Sequence, residues 1–128
     1  MTYIVRAFPV ITPVEELERF LAELAGARRA DTQAFYRRYG ISHESAYVQQ
    51  TAHGTLVIVV TVLDEDHQQA AARYQATTAG FEEWFKGNIR RLTGVDPDQQ
   101  PLGPPSTAVF AFDGRSGDVR AGTARTGL

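Results

Sequence analysis

The chain of 128 residues fits a single domain, large enough to bury a core without covalent staples. Thirteen Lys and Arg stand against fifteen Asp and Glu, for a formal net charge of −2, which leaves no basic face to hold nucleic acid or an anionic membrane. Cysteine is absent, which excludes disulfides and thiolate chemistry, and the longest apolar run, "LVIVVTVL", is too short to span a bilayer.

The opening "MTYIVRAFPV" has no basic segment leading into a long apolar one, so no signal peptide is expected and the chain reads as cytoplasmic. Its "TYIVRAF" is β-branched and aromatic and predicts a first strand ending at Pro9. Thr12, Pro13 and Glu15 then form a capping box with Thr12 as N-cap. The apolar stripe of Leu17, Phe20, Leu21 and Leu24 keeps its phase to Phe35 and Tyr39, which predicts one long helix, kinked at Gly26 and ended by Gly40. A second strand is expected from Ser45 to Gln50, a turn at "TAHG", and a third strand from Thr55 to Leu63. The third lacks alternation, as expected when both faces are covered.

"DEDH" opens a second helical region with acids at its positive end, interrupted by Gly80. In "FEEWFKGNIRRL", Phe81, Trp84, Phe85, Ile89 and Leu92 define the strongest helix, closed by Gly94. A Pro-rich connector leads to a fourth strand, "TAVFAF". Residues 113–128 carry Gly, Arg and small residues without apolar periodicity and predict a disordered tail, so the domain is expected over residues 1–112. The order β-α-β-β-α-β fits an α+β, ferredoxin-like βαββαβ fold, a four-stranded antiparallel sheet with helices on one face. Its other face would need a cover, and a second copy of the chain is the simplest one, giving a homodimer.

Four stretches, "VRAFPV", "RRYGI", "AYVQQTAHGTLVIVV" and "FEEWFKGNIRRLTGVD", carry a resemblance to the dimeric α+β barrel superfamily, and within it to a group of small bacterial proteins of unassigned function. The similarity spans residues 3–112. It implies two sheets packed face to face around a shared lumen that holds a small organic ligand. The superfamily includes cofactor-free oxygenases, cyclases, isomerases, haem proteins and stress-related proteins with no known reaction, so fold analogy does not choose among them.

Candidate residues follow from the predicted strands. His43 and His53 flank the second strand and stand roughly 25–30 Å apart if it is extended, too far to ligate one metal. His43, Glu44, Asp64, Asp66 and His67 can gather at one sheet end, but their spacing matches no metal motif, and a hydrogen-bonded core histidine is the default for His67. On the first strand Thr2, Ile4, Arg6 and Phe8 share a side, and on the second Tyr47 and Gln49 do. If both sets face the lumen, Arg6, Tyr47 and Gln49 form a polar patch among Val57, Val59, Phe110 and Phe112. Arg6 would then stabilise an enolate or carboxylate while Tyr47 or His43 moves a proton, in a cofactor-independent cyclase, isomerase or oxygenase. A one-residue change of register would carry Arg6 to the helix side.

The other reading is a non-catalytic binding or stress-related module. In a haem-binding variant, His43 or His67 would be axial. Asn88 interrupts the apolar stripe of its helix and either lines a pocket mouth or bonds a backbone carbonyl. Arg28 and Asp31 read as a local ion pair, and Phe81, Trp84 and Phe85 as core. No phosphate loop or nucleotide fingerprint is present, so no cofactor is expected.

Overall fold

Three β-branched runs build one sheet. In the computed structural model, which describes residues 2–64, 67–101, 103 and 106–124 (backbone alone at 67, 123 and 124), the first strand is β1 (Thr2–Pro9). β2 (Ile41–Thr51) and β3 (Gly54–Leu63) form a hairpin, and β3 is central in the order β1-β3-β2, all antiparallel. The hairpin turn is short because Gly54 takes φ 121, which an L side chain resists. The Thr51 hydroxyl closes it by donating to the Gly54 carbonyl at 2.8 Å.

The helices α1 (Val14–Ala25), α2 (Arg29–Arg38), α3 (His67–Ala76) and α4 (Gly80–Thr93) pack on one face of this sheet. Leu17, Phe20 and Leu24 of α1 meet Val57 and Leu92 in the largest apolar cluster. Ile4, Leu63 and Ala70 form a second, and Phe35, Tyr39 and Tyr74 a third. α4 ends as predicted, with Gly94 left-handed at φ 76 and its N–H donating to the Arg90 carbonyl at 2.9 Å.

The single long helix expected from the first stripe is two. The chain leaves α1 at Gly26, whose φ of −115° and ψ of −100° are non-helical, and the Arg28 N–H turns back to the Glu23 carbonyl at 2.9 Å. Arg28 also pairs with Glu23 at 3.1 Å and lies 3.9 Å over the Trp84 ring, so the break is anchored from both sides. It redirects Phe35 and Tyr39 into the third cluster. Pro13, not Thr12, occupies the N-cap position, and no side chain caps α1; the Thr12 hydroxyl donates instead to the Pro13 carbonyl.

The expected four-stranded βαββαβ sheet does not form. β4 (Ala108–Phe112) pairs with β5 (Val119–Ala124) in a separate two-stranded hairpin, so the architecture is α+β with a three-stranded and a two-stranded sheet. The cause lies in the connector. It passes Phe8 at Gly103 and reaches Val5 at Ser106, whose hydroxyl donates to the Val5 carbonyl. β4 therefore starts where β1 has only its first residues left to pair. A partner close in sequence costs less loop entropy, and residues 119–124 supply one. The Gly117 N–H to the Asp113 carbonyl at 2.7 Å and the Arg115 N–H to the Asp113 carboxylate at 2.9 Å close the turn. The segment expected to be disordered after residue 112 thus contains a strand; residues 125–128 lie outside the described ones.

The missing alternation of β3 has a matching correction. Val57, Thr61 and Leu63 are buried under the helices; on the other face Val62 is buried as well, but Ile58 and Val60 are only half-buried, and Tyr3, Val5 and Tyr47 on the neighbouring strands stay exposed.

Candidate functional site

Antiparallel register fixes which side chains share the helix-facing side of the sheet. Glu44, Thr61 and Ile4 form one row across β2, β3 and β1; Ala46, Val59 and Arg6 form the next; Val48, Val57 and Phe8 form the third. A cavity of about 500 Å³ lies between these rows and the helices. Its walls are mostly apolar, with Leu17, Leu24, Phe35, Phe85 and Leu92 from the helices. The connector contributes Pro97, Gln100, Pro101 and Gly103. Gly103 is required there, because at φ 76 a Cβ would come within 2.2 Å of the Phe8 ring.

Polar groups reach the cavity chiefly at two places. At the first, Arg6 sends Nη1 to the Val5 carbonyl at 3.1 Å and to the Ser106 hydroxyl at 3.5 Å, while its Nε is buried with no hydrogen-bond partner. Desolvation holds this guanidinium below its ordinary value. At the second, Glu44 accepts from the Thr61 hydroxyl at 2.6 Å and has Tyr36 as a further hydrogen-bonding neighbour. Burial raises the Glu44 carboxyl above its ordinary value despite those hydrogen bonds, and also raises the Tyr36 and Tyr74 phenols beside it. Two strand spacings and one two-residue step separate the Glu44 and Arg6 backbones by roughly 12 Å, and no ion pair joins the two side chains.

A carboxyl raised by burial binds its proton to higher pH in the folded chain than in the unfolded one. The folded state therefore carries more protons above the ordinary value of 4.5, and stability falls as pH rises through that window. Glu44→Gln should remove this loss. Urea titrations at about pH 4 and about pH 8 are expected to show the variant gaining on the parent protein as pH rises; parallel changes would mean that Glu44 ionises freely in the folded state.

Tyr47, Gln49 and His43 lie in register with Ile58, Leu56 and Val62, on the sheet face turned away from the helices, so they do not meet Arg6. The side shared by Thr2, Ile4, Arg6 and Phe8 is real, but it faces the helices and not an outer lumen. Period-two alternation groups residues by side without saying which side the helices cover. His43 is exposed and shares a hydrogen bond with Ser45 at 3.2 Å. His53 sits in the hairpin turn at the far end of β2, as the strand length requires.

Asn88 donates to the Trp84 carbonyl at 3.0 Å and accepts from Arg91 at 3.0 Å, so its polar atoms are satisfied within α4. Phe110 is exposed on the β4–β5 hairpin, as is Phe112, and neither walls the cavity with Val57 and Val59. Arg28 and Asp31 do approach, at 4.0 Å. Asp66 and the side chain of His67 lie outside the described residues, and among the described residues no group of three His, Cys, Asp or Glu could hold a metal ion.

Glu44, Thr61 and Tyr36 were not singled out as a cavity group from sequence. The available signal was Thr61, a lone hydroxyl inside "LVIVVTVL", which requires a buried partner. No protein-family model, curated protein sequence or solved structure matches the chain. No helix among the described residues is long and apolar enough to cross a membrane.

Proposed function

We propose that the chain binds a small, predominantly apolar organic molecule in the cavity between its sheet and its helices. The observation that carries this reading is the cavity itself, about 500 Å³ of apolar-walled space with two small polar groups, the usual build of a small-molecule site. Its position differs from the shared lumen expected from sequence, since one chain supplies every wall.

A cofactor-independent isomerase, cyclase or oxygenase is the catalytic form of the proposal. It is favoured by Glu44, because a carboxyl whose pKa is raised by burial holds its proton to higher pH and is a better candidate to donate it to a bound carbonyl. The non-catalytic form uses the same cavity for binding alone. Self-association is a separate part of the proposal, supported by the exposed Tyr3, Val5 and Tyr47 on the outer sheet face.

The neutral fluorophore N-phenyl-1-naphthylamine tests the cavity, because it brightens when it enters an apolar space. Saturable binding at one equivalent per chain is expected, weakened by Val59→Trp, which projects into the cavity from the sheet floor. Absence of binding, or binding that Val59→Trp leaves unchanged, would end the proposal.

A further inference from the structure

We infer that the cavity selects an organic anion, an apolar body carrying one ionised acid group that seats against Arg6. This rests on the reading of the cavity as a ligand site and adds the class of ligand.

The first support is the isolation of the Arg6 charge. Other cations in partly or fully buried positions have carboxylates close by: Lys86 has Asp98 at 2.9 Å, Arg90 has Asp96 at 2.9 Å, and Arg28 has Glu23 at 3.1 Å. Among the described residues no carboxylate comes within 4.0 Å of Arg6. A guanidinium cannot relieve this by losing its proton, since its pKa stays far above neutrality in proteins.

The second support is geometric. Both protein acceptors of Arg6, the Val5 carbonyl and the Ser106 hydroxyl, are neutral and both take Nη1. The Nε–Nη2 edge bonds to no described residue, and Nε is buried. That edge presents two parallel N–H groups, the fork that matches the two oxygens of a carboxylate. A neutral acceptor would fill the hydrogen bond at the buried Nε and leave this half-buried charge without a counter-ion; an anion answers both.

The third support is the absence of a competing charge. The cavity's own carboxyl, Glu44, lies in another row, is bonded to Thr61, and forms no ion pair with Arg6. The apolar body of such an acid would lie along Val57, Val59 and Phe85, beyond the guanidinium.

The test compares two fluorophores that share one ring skeleton and differ by a sulfonate: 8-anilino-1-naphthalenesulfonate and neutral N-phenyl-1-naphthylamine. The unsubstituted protein is expected to bind the sulfonate about tenfold more tightly, and Arg6→Met to erase that preference while leaving the neutral probe's affinity within about twofold. Arg6→Lys, which keeps the charge and loses the fork, should retain part of the preference. Equal affinities for the two probes in the unsubstituted protein would overturn the anion inference and leave the cavity reading standing. A sulfonate preference that survives Arg6→Met would overturn it too, placing the anion elsewhere. If neither probe binds, both readings fall. If Arg6→Met does not fold, Arg6→Lys carries the assignment: a sulfonate preference reduced in Arg6→Lys, with the neutral probe still bound, supports it, and an undiminished preference overturns it.

Discussion

Replacing Lys86 with methionine should destabilise the protein by about 3 kcal/mol, a fall of about 10 °C in the unfolding temperature. Lys86 is fully buried on α4, yet all three of its ammonium protons are used: by the Gln75 carbonyl at 3.1 Å, the Thr77 carbonyl at 3.0 Å and the Asp98 carboxylate at 2.9 Å. Its charge also lies 5.3 Å from the Tyr74 ring. Methionine matches the stem but not the head, so two carbonyls lose their donor and α4 loses its tie to the segment leaving α3. Asp98 suffers less, because it is half exposed and keeps Arg90 at 2.7 Å. Thermal and urea unfolding followed by circular dichroism check the value; a loss below about 1 kcal/mol would mean that water replaces the ammonium at little cost.

Phe35→Ala should cost about 4 kcal/mol, within the range for deleting a buried aromatic ring. Phe35 is 4% exposed, and its ring centroid lies 5.0 Å from Phe85, 5.2 Å from Tyr39, 5.3 Å from Phe81 and 5.8 Å from Tyr74. Several of these contacts are tilted or edge-on, the geometry in which aromatic pairs contribute beyond their buried area. Because Phe35 also walls the cavity, the variant should enlarge it and weaken N-phenyl-1-naphthylamine binding along with stability. Phe35→Leu, which restores most of the volume, should recover over half of the stability loss; equal losses for both variants would show that ring geometry matters more than filled space.

Local patterns were legible where one physical signal dominates. β1, the β2–β3 hairpin and α4 with its Gly94 cap could be read because β-branching, a turn glycine and a 3.6-residue stripe each act over a few residues. Where two local and distant options compete, the sequence is silent. The run "AVFAF" has the same strand propensity whether it joins β1 or β5, and the choice turns on where the Pro-rich connector delivers it. Glu82 and Lys86 illustrate a different failure. Both sit beside the apolar stripe of α4, where the sequence pattern does not mark them, but Arg38 and Tyr39 bury Glu82 at 2.8 and 3.2 Å, and the connector buries Lys86. Arg6 shares its side of β1 with Ile4 and Phe8, as alternation predicts; which face of the sheet that is required the helices to be placed first.

The connector after α4 gives the cavity walls of two different materials. Most are held by contact between apolar side chains, but the wall made by Pro97, Gln100 and Pro101 hangs from the charges of Lys86 and Arg90 on Asp96 and Asp98. Dissolved salt screens the exposed Arg90 pairs and leaves the greasy walls untouched. Raised ionic strength therefore loosens the tether of this wall, whereas the walls made by Leu17, Leu24, Phe35, Phe85 and Leu92 keep their apolar contacts.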